Sequence, residues 1–128
     1  MKPEEAAAQE LAAITAALHS KETVQVSTVG TFVGPTRWAS NQHTTLAFTG
    51  PRILLAGVER RSVLAIRLSQ VTGLSFRKTL LSNTLRLAYD LPGIGPSLDE
   101  FFFGKKDRTA VAFVDAVRER MSSRRPRG

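Results

Sequence analysis

Residues 84–120 read TLRLAYDLPGIGPSLDEFFFGKKDRTAVAFVDAVRER, and this stretch decides the fold. Thr84–Asp90 alternates apolar and polar side chains, which is typical of a half-buried antiparallel strand. A Pro- and Gly-rich breaker ends that strand, and a second apolar run follows at Leu98–Phe103. Over Asp107–Arg120 the apolar residues recur every three or four positions, which predicts an amphipathic helix capped by its first residue. Strands followed by one closing helix predict a small curved sheet or open barrel that a helix plugs at one end.

The same alternation with a period of two recurs upstream of this stretch. It starts at Thr23, and further apolar runs bounded by Gly, Pro, Ser or Asn follow it. The predicted upstream strands are Thr23–Ser27, Thr45–Thr49, Arg52–Ala56, Ser62–Leu68 and Val71–Lys78. The sequence therefore predicts an α+β fold that is mainly β, an open barrel of about seven antiparallel strands with a C-terminal capping helix and an extra N-terminal helix.

The N-terminal helix is predicted over residues 3–19. Pro3 suits the first turn, and Glu4 and Glu5 complement the positive end of the helix dipole. The apolar residues of this segment recur at spacings of three and four and form one stripe: Ala7, Leu11, Ile14 and Leu18. We expect this stripe to pack on the sheet or on a second copy of the chain.

The length of 128 residues predicts a single domain. Residues 1–20 are assigned to the N-terminal helix, 21–121 to the barrel with its capping helix, and 122–128 to a basic tail. A hydrophobic fraction of 42% is enough to bury a modest core without a metal or a disulfide. No apolar run approaches the ~20 residues that a membrane span requires. We expect a cytoplasmic protein, with peripheral membrane attachment as an alternative.

The net charge of +7 is unevenly distributed along the chain. Residues 1–22 are acidic, with two lysines against four glutamates, whereas 23–98 carry eight basic side chains against two acidic ones. The stretch from Arg108 onwards is also basic. Such a surface attracts nucleic acid, anionic lipid or acidic protein. Solubility alone is the alternative explanation.

The residue inventory argues against catalysis and metal binding. The chain has no cysteine, which excludes disulfides, thiolate nucleophiles and Cys-type zinc sites. His19 and His43 are far apart in sequence and have no acidic partner at a motif spacing. Asp99 and Glu100 are neighbours in a strand, so their side chains point to opposite faces. We expect no enzyme, no cofactor and no metal site.

Two segments resemble bacterial pleckstrin-homology-like (PH-like) domains. In Leu46–Leu55 (LAFTGPRILL) a strand ends in a Thr–turn–Arg step and an aliphatic strand follows, as at the second-to-third strand corner of that family. In Ile66–Leu74 (IRLSQVTGL) the step resembles the one between its fourth and fifth strands. The order of strands and closing helix over roughly residues 21–121 is also similar. The resemblance implies a binding scaffold that, in bacterial relatives, often serves protein contacts or self-association.

The first two strands depart from the phosphoinositide-binding members of that family. Those members carry a basic cluster there, whereas this chain offers only Lys21 at the edge and Arg37 in the loop. Residues 24–31 contain no basic side chain. We therefore do not expect a specific inositol-phosphate site.

The most informative candidate surface is the predicted hairpin tip at 77–83. Arg77 and Lys78 flank Leu80 and Leu81, and Arg86 follows nearby, so apolar insertion is paired with cationic attraction. The alternative is that both leucines fold back over one end of the barrel. Phe101–Phe103 cannot all face inward, and alternation makes Phe102 the one that needs a helix or an interface to cover it, with the N-terminal helix as one candidate.

Two further loops carry candidate contact residues. Arg37 and Trp38 lie in the first long loop, and both residue types are enriched at binding hot spots. Trp38 covering the barrel mouth is an equal alternative. Arg60 and Arg61 lie in a later turn, where a solvated edge is the simpler interpretation.

These features predict a noncatalytic module that binds through protein contacts, self-association included. The alternative is peripheral binding to anionic membrane through the basic residues and the two leucines. A weaker alternative is sequence-independent contact with nucleic acid through the basic patch and tail.

Overall fold

The structure is a computed structural model that describes residues 2–33, 42–57 and 63–123. These residues form two helices and seven strands, which confirms the predicted fold class. The helices are α1 (Pro3–Ala16) and α2 (Arg108–Ser123). The strands are β1 (Val26–Phe32), β2 (Gln42–Phe48), β3 (Arg52–Gly57), β4 (Leu64–Arg67), β5 (Val71–Lys78), β6 (Asn83–Leu91) and β7 (Gly95–Phe103), with a 3-10 turn at Leu68–Gln70 between β4 and β5.

The strands form one unclosed antiparallel sheet in the order β4-β3-β2-β1-β7-β6-β5, consistent with an open PH-like barrel. Each tight connection turns the chain back, so successive turns lie at alternate ends of the sheet. The β5–β6 turn, the β2–β3 turn and the β7–α2 connection share one end. The β6–β7 turn lies at the other end, with the strand ends Phe32 and Gln42 that flank residues 34–41.

The main core fills the inner face of the sheet and is closed by α2. Ala110, Phe113, Val114 and Val117 of that helix are buried against inward side chains of the strands. The predicted cap is confirmed, because the Asp107 carboxylate accepts hydrogen bonds from the backbone N–H groups of residues 109 and 110 at 3.0 and 3.2 Å. The helix continues to Ser123, two residues into the stretch assigned to the tail.

The outer face of β2 and β3 is covered by α1, which therefore packs on the sheet of its own chain. Ile14 contacts a second cluster formed by Ala47, Leu54 and Ala56. The second half of the predicted stripe is confirmed, because Ile14 is buried and Leu18 packs against this cluster. The first half was wrong by one position: the helix buries Ala6 and Glu10, whereas Leu11 is 40% exposed. The helix also ends at Ala16 rather than at residue 19.

A buried carboxylate explains the shifted phase of α1. The Glu10 side chain is only 3% exposed and lies between two side chains of β2. The Thr45 hydroxyl donates to it at 2.7 Å, and His43 Nδ1 lies 2.8 Å from the nearer oxygen. Because a buried carboxylate needs such partners, Glu10 occupies the inward position that an apolar residue was expected to take.

A second buried carboxylate, Glu22, ties the segment after α1 to the β2–β3 corner. It accepts hydrogen bonds from Arg52 Nε at 2.9 Å and from the Arg52 guanidinium at its other oxygen. The Thr49 hydroxyl and the His19 backbone N–H donate to it at 2.7 and 2.9 Å, and Arg52 also donates to the Ala17 carbonyl at 3.1 Å. These bonds, the one to Arg52 foremost, lower the pKa of Glu22 from 4.5 to about 2 against the opposing effect of burial.

The inner face is packed closely where β1 passes β7. A Cβ added at Gly30 would lie 2.6 Å from the Phe103 ring, which is buried and contacts the Phe76 ring at a centroid distance of 6.5 Å. We expect Gly30→Ala to lower the free energy of unfolding by about 1–3 kcal/mol, because the ring must move in a filled core.

Urea denaturation measures that difference, and Gly73→Ala is the matched control. Gly73 is also in a strand, but an added Cβ there would meet Ala88 at an ordinary 3.6 Å. Equal losses in the two variants would show that strand glycine itself, and not the Phe103 contact, sets the cost.

Candidate interaction surface

The β5–β6 turn presents two leucines to solvent. Lys78 and Asn83 are the last paired residues of the hairpin, and Leu80 and Leu81 lie between Thr79 and Ser82. The two leucines are 82% and 88% exposed. The expectation of an apolar hairpin tip is therefore confirmed, and the alternative that these side chains fold back over the barrel is wrong.

Hydrogen bonds between Thr79 and Ser82 fix the conformation of this turn. The Thr79 backbone N–H donates to the Ser82 carbonyl at 2.8 Å, and the Thr79 hydroxyl donates to the same carbonyl at 2.6 Å. That hydroxyl also accepts from the Ser82 backbone N–H at 3.1 Å. The threonine thus closes the turn with its own side chain, and the leucines at its centre point away from the sheet.

The β7–α2 connection lies beside the same turn. Asn83 pairs with Phe103 in the sheet register, and its side-chain amide approaches the carbonyls of Gly104 and Lys105 at 3.5 and 3.4 Å. This arrangement brings residues 104–108 next to the hairpin tip. We name residues 77–82 and 104–108 together the tip end.

The tip end carries five exposed cations around the two leucines. They are Arg77, Lys78, Lys105, Lys106 and Arg108. Within the described part of the chain, none of them forms an ion pair with a carboxylate. The one acidic side chain of the tip end, Asp107, is engaged at the N-terminus of α2. The tip end is therefore an apolar projection surrounded by positive charge.

A groove of about 400 Å³ lies next to the tip end, on the outer face of β5, β6 and β7. Two rows of side chains cross these strands, Ser75–Arg86–Glu100 and Arg77–Thr84–Phe102. The small Ser75 and Thr84 form low points between taller neighbours, which makes the groove. We name this groove the outer groove. Phe76 and Thr79 complete its lining.

The outer groove combines an apolar wall with charged ones. Phe102 is 38% exposed, whereas Phe101 and Phe103 are buried, which confirms the alternation predicted for this strand. The suggestion that the N-terminal helix covers Phe102 was wrong, because α1 packs on β2 and β3. Arg86 Nε donates to Glu100 at 2.7 Å, and the Arg86 side chain is 56% exposed. Arg77 stands on the same face, where no carboxylate of the described residues pairs with it.

The structure brings together only part of the predicted surface. Arg77 and Arg86 line the outer groove, and Arg77, Lys78, Leu80 and Leu81 belong to the tip end. Arg37, Trp38, Arg60 and Arg61 lie outside the described residues, as does the basic tail from Arg124 onwards. The alternatives for these residues stay predictions.

Sequence reasoning missed the contribution of Lys105, Lys106 and Arg108. They follow a strand that was expected to run antiparallel to the hairpin, so the connection after it had to emerge beside the hairpin turn. The available signal was this topology, together with the Gly-Lys-Lys sequence of the connection.

Two other kinds of feature are absent from the described residues, a metal-binding cluster and a membrane-spanning helix. In residues 2–33, 42–57 and 63–123, no three His, Cys, Asp or Glu side chains are grouped so as to hold a metal ion. Neither helix of that part of the chain combines the length and the apolar character needed to cross a membrane.

The fold is similar to that of the C-terminal domain of an unknown protein from Leishmania infantum, known from a crystal structure. The TM-score is 0.57 at 8% sequence identity, and the match covers 80% of this chain and 87% of that chain. At this identity the likeness shows the fold alone. No family model and no curated protein matches the sequence. Membership of the PH-like family therefore stays a prediction.

Proposed function

We propose that this protein is a noncatalytic binding module that acts through protein contacts, with the outer groove as its contact surface. The observation that carries the proposal is the unequal cover of the sheet. The outer face of β2 and β3 is covered by α1, whereas within the described residues no helix covers the outer face of β5, β6 and β7. Phe102 stands exposed on that uncovered face. An exposed aromatic in a groove with arginine walls has the composition of a binding hot spot.

The charge of the outer groove indicates the chemistry of its partner. Arg77 and Arg86 face it from one side, against the single carboxylate of Glu100. A partner segment that alternates carboxylates with apolar side chains is complementary to this wall and to Phe102. Acidic segments are therefore favoured over basic ones.

A second copy of the chain offers such a segment in its α1. Glu4 and Leu11 are seven positions apart, which places them on one face of the helix, and both are exposed. A contact between α1 of one copy and the outer groove of another joins two different patches. Made in one direction it adds copies head to tail, and made reciprocally it closes a symmetric dimer; in both cases the mass increases with concentration.

Light scattering after size exclusion over a range of protein concentrations tests this contact. We expect the average mass to rise with concentration, and Phe102→Arg to weaken the association roughly tenfold or more, because it removes the apolar anchor and adds a third cation to the groove. Glu4→Lys is expected to act in the same direction from the other side of the contact.

Leu98→Arg is the matched control. Leu98 lies on the same outer face of β7, is 43% exposed and does not line the outer groove. A strict monomer at every concentration would remove self-association from the proposal. Equal weakening by Phe102→Arg and Leu98→Arg would place the contact elsewhere on the sheet.

A further inference from the structure

We propose that the tip end docks the protein onto an anionic membrane surface, with Leu80 and Leu81 entering the headgroup region and the surrounding cations facing lipid phosphates and carboxylates. This inference goes beyond the protein contact proposed for the outer groove and rests mainly on other residues, since the two surfaces share only Arg77 and Thr79. Three properties of the tip end support membrane docking: its shape, its exposed apolar area and its charge.

The shape of the tip end fits a membrane better than it fits a protein pocket. Leu80 and Leu81 are at the centre of a closed turn and do not line the outer groove. A projection of this kind can enter the soft boundary between lipid headgroups and acyl chains without a preformed cavity in the partner. The Thr79 hydrogen bonds hold the turn before binding, so little order has to be gained when it docks.

The apolar area on offer is large for so short a segment. Both leucines are more than four-fifths exposed, at 82% and 88%, and leucine pairs at exposed turns reduce solubility. Hairpin turns of this kind usually carry Gly, Asn or Asp. A turn closed by the Thr79 side chain keeps the leucines outside, where they contribute nothing to the core.

The charge of the tip end has the sign and the arrangement that an anionic bilayer requires. Five cations come from two separate segments, 77–78 and 105–108, which the Asn83 side chain holds side by side. Since none of them is paired with a carboxylate in the described part of the chain, their charge is available to a partner. Each cation near such a surface strengthens binding by roughly fivefold.

Cosedimentation with vesicles tests the proposal on the full chain. The vesicles consist of phosphatidylcholine alone or of phosphatidylcholine with phosphatidylserine, and the second kind is measured across a salt series. We expect binding to the phosphatidylserine vesicles only, and weaker binding as salt increases, since exposed charges are screened.

Two double variants separate the apolar and the cationic contributions. Leu80→Ser with Leu81→Ser is expected to weaken vesicle binding roughly tenfold or more, because the area that enters the bilayer is lost. Lys105→Glu with Lys106→Glu is expected to weaken it roughly 25-fold or more, because two attractions become repulsions. These four residues are exposed and outside the outer groove, so both variants are expected to fold and to keep any self-association.

Each variant has a matched control. Ile94→Ser changes an apolar side chain that is 52% exposed in the β6–β7 turn, at the opposite end of the sheet. Arg118→Glu with Arg120→Glu changes the net charge by the same amount as the lysine pair, on exposed positions of α2. We expect both controls to bind vesicles within about twofold of the original protein, because neither alters the tip end.

Three results would overturn the proposal. The first is a failure of the original protein to sediment with phosphatidylserine vesicles. The second is equal weakening by the tip variants and their controls, which would indicate attraction by net charge alone. The third is a combined result: the original protein binds no vesicles, and the variant with Leu80→Ser and Leu81→Ser no longer self-associates. The tip end would then be a protein contact. Failure of the outer-groove contact leaves vesicle binding unaffected, so the two proposals fail separately.

Discussion

Glu22→Gln is expected to lower the free energy of unfolding by about 3 kcal/mol at neutral pH, because it breaks a buried ion pair while leaving the cation in place. The Glu22 and Arg52 side chains are 6% and 12% exposed. Glutamine can keep part of the hydrogen bonding, but its amide NH₂ group faces other donors, and Arg52 loses the charge that compensates its burial. Urea denaturation of the two proteins at pH 7 measures the difference.

The Glu22–Arg52 pair also predicts how the free energy of unfolding depends on pH. Because folding lowers the pKa of Glu22 from 4.5 to about 2, its stabilising contribution is complete above pH 4.5 and is lost as the pH falls towards 2. The original protein should therefore lose more stability than Glu22→Gln over that interval, and the two curves should converge at its acid end.

Glu100→Gln is the control for that experiment, since it removes a second arginine–carboxylate pair among the described residues, that of Arg86 and Glu100. Arg86 is 56% exposed, so solvent screens this pair, and we expect a change of less than about 1 kcal/mol. If Glu22→Gln lowers the free energy of unfolding by no more than Glu100→Gln does, the stability of the contact between the segment after α1 and the β2–β3 corner does not depend on the charge of Glu22.

The succession of strands along the chain and the closing helix could be predicted because their patterns are local. The strands are marked by apolar residues at every second position, and the closing helix by apolar residues at every third or fourth position. Both patterns depend only on side chains within the segment itself. The cap at Asp107 and the outward position of Phe102 follow from the same local rules. The residues that broke those rules were the charged ones with partners far away in sequence.

The buried face in the first half of α1 could not be predicted for that reason. Glu10 lies on the inward face because Thr45 and His43, more than thirty positions away, supply its hydrogen bonds. No periodicity within residues 3–16 contains this information, so the apolar residues alone placed the first half of the stripe one position too far along the helix, although they placed Ile14 correctly. The exposed Leu11 is the visible consequence.

The candidate surface was predicted in part. The leucines of the β5–β6 turn stood out because apolar residues in a turn are unusual, but only the hydrogen bonds of Thr79 decide between exposure and folding back. The lysines of the β7–α2 connection needed the sheet register to be placed beside them. Charge that is scattered in sequence thus becomes one surface through strand pairing.

Phe113→Ala is expected to have the largest effect on stability, about 3–5 kcal/mol, because it removes a fully buried aromatic ring from the helix that closes the barrel. Phe113 lies in the cluster that joins α2 to β1 and β2, and the shell around a missing ring collapses only in part. Thermal and urea denaturation measure the loss. Phe102→Ala is the control, since that ring is 38% exposed and its removal leaves no closed cavity.

The packing of α2 also positions the tip end, which gives the same variant a second readout. The helix begins at Arg108, two residues after Lys106, and the Thr109 hydroxyl lies 2.8 Å from that of Thr28 on β1. Loosening α2 should therefore increase hydrogen exchange in residues 104–110 before the protein unfolds globally. Unchanged exchange there, despite a loss of several kcal/mol in stability, would show that the sheet alone, through Asn83, holds the connection beside the hairpin.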